Sequence, residues 1–391
     1  MLRLALLALA LASQDRIPEP TRRLEQVAAR VERALDVRFD RLPAVRRITR
    51  AEAVAHSHAM FERSFPAPQR DARMTLWTEL GLLPEDFPFE LLTRLSAAPV
   101  RALYDSSADV ILAGDAWGDD DEGLLFHELV HALQDQEHDA FEHLVEAAGT
   151  LTSDELFAWK LLIEGEAHYW TDRVGFEGDR EERFRVRART SEDLVRNVRA
   201  SQGTFIAALL ARTPALLVRL WYEPATRGRY FVHRLVEEGG ARAPRRLFDA
   251  FDAGARTPTT HALFYPEEET PPHPTLQEAG PTPAPLRAWT LVGRDRIGAF
   301  AWQALLEARS GDAEEALRGW RGDRVALYEL GEARVCVGTV ELDREARAAA
   351  LAELLRAVWG EGALVVSRGS QVRFAIGERP AELDAGALFR D

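Results

Sequence analysis

In Leu124-Leu125-Phe126-His127-Glu128-Leu129-Val130-His131-Ala132-Leu133, two histidines and a glutamate interrupt a run of apolar residues. The apolar spacing predicts a long helix from about 122 to 138. Four residues apart on it, His127 and His131 share one face, a turn from each other, and can grip a single ion. Glu128 sits about 100° round the helix and reaches a metal-bound water without being a ligand. Burying His-Glu-His on so apolar a helix is costly unless something satisfies it, and a metal does. The preceding Asp119-Asp120-Asp121-Glu122 run complements the positive end of the helix dipole. A calcium site would want ligands spaced along a loop.

A catalytic zinc site takes three protein ligands and keeps one position open. The next predicted helix, about 153–174, has Ser153-Asp154-Glu155 as its cap region and carries Leu161-Leu162-Ile163-Glu164-Gly165-Glu166-Ala167-His168. Glu164 ends an apolar run, where a carboxylate wants a cation. The expected site is Zn2+ on His127, His131 and Glu164, with Glu128 as general base. Glu166 is the alternative third ligand and His168 a weaker one.

His127 to Asp135, His-Glu-Leu-Val-His-Ala-Leu-Gln-Asp, resembles the active-site helix of thermolysin-like gluzincins, a clan of zinc metallopeptidases. Glu164-Gly165-Glu166-Ala167 is similar to the Glu-Gly-x-Ala segment that supplies the third ligand in aminopeptidase-type gluzincins. Tyr230-Phe231-Val232 through Gly239-Gly240, then Thr257-Pro258-Thr259-Thr260, resembles a downstream region in a group of poorly characterised secreted bacterial proteins. Gly319-Trp320-Arg321-Gly322-Asp323 is similar to a segment of the same group. The resemblance covers roughly residues 98–275. It implies a zincin-like fold and a peptide or protein substrate. It also implies a supporting role near the site for Asp135, whose position equally suits a carboxylate at a helix end. Peptidases of this kind add a Tyr or His that donates to the oxyanion, and Tyr230, His233, His261 and Tyr265 are the candidates. The bacterial group is expected to carry a histidine just before the proline at 266. This chain has Tyr265 there and His261 earlier, so the donor stays unassigned.

Outward from the motif, Val100, Leu103 and Tyr104, then Val110-Ile111-Leu112, read as a hairpin of two short strands within 98–113. Residues 21–38 and 50–64 read as helices, as do parts of 180–220. Arg180 to Arg189 alternates with glutamate as a solvated, salt-bridged face. Tyr230 to Glu238 is an amphipathic helix stopped by Gly239-Gly240. The prolines between Pro266 and Pro285 mark a linker or an extended wrap. Beyond them helix 294–308, strands 324–329 and 333–341, helix 343–358 and strands 362–367 and 371–376 suggest a small unit, with Gly319 to Arg324 as a turn before a strand. The expected class is α+β. It comprises a signal peptide (1–12), a mostly helical zincin-like metallopeptidase domain with a short strand pair before its active-site helix (13–275), a Pro-rich linker (276–287) and a C-terminal α+β domain (288–391).

Composition bounds the function. At 391 residues and 46% hydrophobic, the chain can bury a real core, and 29% charged residues do not make it disordered. A net charge of -14 repels nucleic acid and anionic membranes. Cys336 is the one cysteine, so no intrachain disulfide forms and any metal rests on histidines and carboxylates. Of the 49 basic residues Lys160 alone is a lysine, which reads as a coding bias. Arg3, the apolar run 4–12 and Ala10-Leu11-Ala12 before Ser13 fit a short signal peptide. The run is too short to span a bilayer. The expectation is an exported protein, periplasmic or extracellular, without an integral membrane segment. His56, His58, His138, His143 and His273 show no partner pattern and suit solvated or core-capping roles. The leading functional expectation is a secreted zinc metallopeptidase. The alternative is a catalytically inactive zinc-binding envelope protein that uses the same fold for binding or scaffolding. A metal-free helical interaction protein is a third.

Overall fold

In the computed structural model of the chain, the described residues are 19–64, 67–88, 101–114, 117, 121–141, 150–175, 196, 211, 213–252, 259–265, 282–307, 313–378 and 388. The expected signal peptide, the Arg180 to Arg189 face, most of the proline-rich stretch, His143 and His273 lie outside them.

Helix α1 (Glu19–Leu35) buries Leu24, Val27, Val31 and Leu35 at helical spacing. Then come β1 (Ala44–Ile48), α2 (Arg50–Ser64), α3 (Ala67–Glu79), β2 (Ala102–Asp105) and β3 (Val110–Gly114). The expected strand pair is β2 and β3, antiparallel. A third strand joins it: β1 runs parallel to β3, giving the order β1-β3-β2. In Ala44-Val45-Arg46-Arg47-Ile48 only Ile48 is buried. The two-residue alternation that announces a strand is therefore missing, and β1 is held by its pairing with β3 and by Ile48, which packs with Ala53 and Leu112.

Helices α4 (Glu122–His138) and α5 (Ser153–Gly175) lie where the apolar periodicity puts them. Asp139 ends α4 in the left-handed region, φ 47, and its N–H donates to the Asp135 carbonyl at 2.8 Å. The cap of α5 is Thr152, one residue before the expected trio. Its N–H and hydroxyl both bond Glu155, whose own N–H returns to the Thr152 hydroxyl at 3.3 Å. This frees Ser153 and Asp154 to turn inward. Helix α6 (Ala215–Tyr222), a π-helical turn (Pro224–Gly228), α7 (Arg229–Gly239), α8 (Ala243–Asp252) and α9 (Thr260–Phe264) follow. The buried Glu223 carboxylate holds Arg219 at 2.6 Å and Arg227 at 3.4 Å, which fixes the π turn. That turn crosses α5 backbone to backbone. A Cβ on Gly165 would collide with the Gly228 backbone, and one on Gly228 with the Leu161 carbonyl.

The C-terminal part comprises β4 (Thr290–Asp295), α10 (Gly298–Glu307), α11 (Ala313–Leu317), β5 (Trp320–Leu330), β6 (Ala333–Leu342), α12 (Glu345–Trp359), β7 (Leu364–Arg368) and β8 (Gln371–Gly377). Its strands form one antiparallel sheet in the order β4-β5-β6-β8-β7. Two expectations need correction. The helix read over 294–308 begins at Gly298, after a strand, and the turn read over 319–324 lies mostly inside β5, bulged between Trp320 and Gly322. The polar look of Gly322-Asp323 misleads because Asp323 is buried. Its carboxylate accepts the N–H groups of Ile297 (2.8 Å) and Gly298 (2.9 Å) at the start of α10.

Helix α10 is apolar nearly all round, with Phe300, Ala301, Trp302 and Leu306 fully buried, as a helix wedged between other elements must be. It touches α5 and α6 on one side and β5 and α12 on the other. One buried apolar cluster thus runs from Leu24 to Ile376. The class is α+β, as expected. Among the described residues no helix is long and apolar enough to cross a membrane.

Candidate metal centre

Helices α4 and α5 pack side by side and bring three side chains to one point. The Nε2 atoms of His127 and His131 stand 3.1 Å apart, and Glu164 Oε2 lies 3.5 Å from the first and 3.6 Å from the second. Bonds of 2.0–2.1 Å to a tetrahedral ion would separate its ligands by about 3.3 Å. Two imidazoles and a carboxylate at these spacings fit a divalent metal.

The electrostatics around these groups suit a cation. Burial would raise the Glu164 pKa, but the two imidazoles and Lys160 outweigh it and hold the carboxyl well below its usual range. Burial likewise opposes charge on His131. Glu164, Glu128 and Gln134 overcome that and raise its pKa to about 9. His168 follows Glu164 by one turn, its ring centroid 4.7 Å from that of His127. Burial, then the neighbouring His127, pushes its pKa down to about 3, so it stays neutral.

Gln134 was not singled out in the sequence, yet it orders the site. His131 Nδ1–H donates to Gln134 Oε1 at 2.9 Å, which leaves Nε2 as the lone-pair donor. The Gln134 amide donates in turn to the Ile163 carbonyl and to Glu166 Oε2, both at 2.9 Å, and so ties α4 to α5. Glu166, the alternative ligand, is thereby turned away from the imidazoles. It is fully buried, 3.8 Å from Arg245 Nε, and burial lifts its pKa to about 7. The available signal was a polar side chain on an otherwise apolar helix face, three residues after His131.

Glu128 is buried, and its Oε2 accepts the Tyr104 N–H of β2 at 2.8 Å. The Tyr104 hydroxyl lies 2.9 Å from Asp135 and 3.0 Å from Asp109. A hydroxyl carries one proton and donates it to one carboxylate at a time. Asp109 is also paired with Arg41, and burial raises the Asp135 pKa. Tyr104 thus links Asp135, through its hydroxyl, to Glu128, through its N–H.

Two oxyanion candidates stand elsewhere. The His261 ring packs 4.9 Å from Tyr265 and 5.9 Å from Trp320, and burial, then Arg321, lowers its pKa to about 4. The Tyr265 hydroxyl donates to the Glu314 carbonyl at 3.2 Å. Their neighbour Thr260 donates to Asp154 at the start of α5, ten residues before Glu164, or about 15 Å along the helix. Both belong to the seam with the C-terminal part. Tyr230 and His233 lie on α7, which runs beside α5, His233 with its ring 6.0 Å from Tyr169. His138 stacks on Phe248 at 5.2 Å, a core-capping role, and His56 lies 3.7 Å from Asp105.

No protein-family model matches the chain, and no curated protein and no solved structure matches it significantly.

Proposed function

We propose that the chain is an exported zinc metallopeptidase of the gluzincin type, with a zincin-like fold around α4 and α5. The observation that carries this reading is the convergence of His127, His131 and Glu164 at separations near a tetrahedral edge, with Glu128 between the two histidines in sequence. A bound Zn2+ would acidify a water and polarise a substrate carbonyl. His127, His131 and Glu164 would hold it. Tyr104 N–H fixes Glu128 Oε2, which leaves Oε1 to accept the proton of the attacking water and return it to the departing amide nitrogen. The substrate class is a peptide or protein, and the apolar N-terminal run supports export.

Glu128→Gln tests the mechanism. Peptide hydrolysis should fall by about 10²–10⁴-fold with metal content unchanged. Activity that survives the change overturns the role of Glu128. The position of His261 and Tyr265 at the seam favours a second reading, a zinc-binding envelope protein without turnover. Stoichiometric metal with no cleavage across a broad peptide library would make that the better account.

A further inference from the structure

Coding bias accounts for a chain whose basic residues are almost all arginine, but not for its one exception. Of the 49 basic residues the single lysine is Lys160. It stands one turn before Glu164, its ammonium 3.8 Å from Glu164 Oε1. The other oxygen of the same carboxylate, Oε2, faces the two imidazoles. Ordinary helix-stabilising pairs in this chain use arginine: Arg234 with Glu238, Arg347 with Asp343, Arg219 with Glu223. Lysine preceding glutamate at this spacing is moreover the weaker order for stabilising a helix.

We infer that Lys160 is a positioning residue that holds Glu164 as a one-oxygen metal ligand. This rests on the metal-site reading above. An ammonium is a point charge that can engage Oε1 and leave Oε2 to the ion. A guanidinium is a planar fork that takes both oxygens of a carboxylate. At position 160 it would draw Oε2 off the metal, so arginine fails where it serves elsewhere. With Oε1 drawn by charge toward the Lys160 ammonium, the carboxylate would present Oε2 alone to the ion and leave the fourth position open to water.

The test is metal binding by the full chain with Lys160→Arg and Lys160→Met, using Zn2+ against a chromophoric chelator and Co2+ by visible absorption. Lys160 is 36% exposed, so both variants should fold, and melting of the metal-free proteins checks it. Lys160→Gln replaces the methionine variant if that one misfolds. Lys160→Arg should bind Zn2+ at least about tenfold more weakly. Lys160→Met should stay within about threefold of wild type, while its Co2+ absorption weakens as the second Glu164 oxygen closes on the ion. A simple salt-bridge role predicts no loss in the arginine variant. Wild-type affinity and spectrum in Lys160→Arg overturn the inference while leaving the metal site standing, as does equal weakening in both variants. A wild-type chain that takes up no metal sinks the site and this inference together.

Discussion

His131 donates to Gln134, and Gln134 donates to Ile163 and Glu166, so one buried amide sets both the tautomer of a ligand and the contact between two helices. Gln134→Leu removes the acceptor for Nδ1 and strips a donor from two buried oxygens. Each buried group left unpaired costs about 1–3 kcal/mol. Metal affinity should fall about 10–100-fold, read by chelator competition; an affinity within twofold of wild type would deny Gln134 its role. At this scale the sequence was legible wherever chemistry repeats along one helix. His127 and His131 were readable from spacing, and Glu164 from a carboxylate in an apolar run. The bonds of Gln134 to Glu166 and of Tyr104 to Glu128 were not, because they depend on which faces of separate elements meet.

Between elements, a close approach near the middle of α5 and burial at its start set the geometry. Near its middle, α5 meets the π turn at Gly165 and Gly228, beside Glu164. Gly165→Ala should cost about 1–3 kcal/mol by urea denaturation and weaken metal binding as well. Loss of stability with unchanged affinity would show that the crossing does not position Glu164. At the start of α5, Asp154 accepts the Thr260 N–H at 3.0 Å, while its Oδ2 has no hydrogen-bond partner among the described residues. Burial raises its pKa from the ordinary 3.8 of an aspartate to about 7. A carboxyl raised on folding binds its proton more tightly in the native state. Its contribution to stability is therefore full below pH 3.8 and is lost as pH rises through about 7. Asp154→Asn should flatten the stability profile across that window, seen as a smaller difference between urea midpoints at pH 4.5 and 7.5. A profile parallel to wild type would rule Asp154 out. Elements were legible where periodicity was strong, as in α4, α5 and α7. Strand β1 was hidden by exposed arginines, and the start of β5 by a buried aspartate that reads as a turn residue.

Over the whole molecule, proline spacing suggests two units, yet one buried apolar cluster has members on both sides of the proline-rich stretch. Helix α10 follows the proline-rich stretch in sequence and packs against elements from both sides of it. Phe300 meets Phe157 at 5.1 Å, and Trp302 meets Phe374 at 5.7 Å. Ser153 N–H donates to Asp295 at 2.8 Å, and Trp359 donates to the Leu80 carbonyl at 3.0 Å, so polar contacts span the same seam. Removing 288–391 would uncover the faces of α5 and α6 that α10 covers and leave Asp154 beside water. The full chain should therefore unfold in a single transition, coincident by far-ultraviolet circular dichroism and tryptophan fluorescence. A chain ending at 287 should lack a cooperative transition and bind metal poorly, because α5 carries both the seam residues Ser153 and Asp154 and the ligand Glu164. Two separated transitions, or a truncated chain that melts cooperatively and keeps wild-type metal affinity, would show that the site needs nothing from the C-terminal sheet.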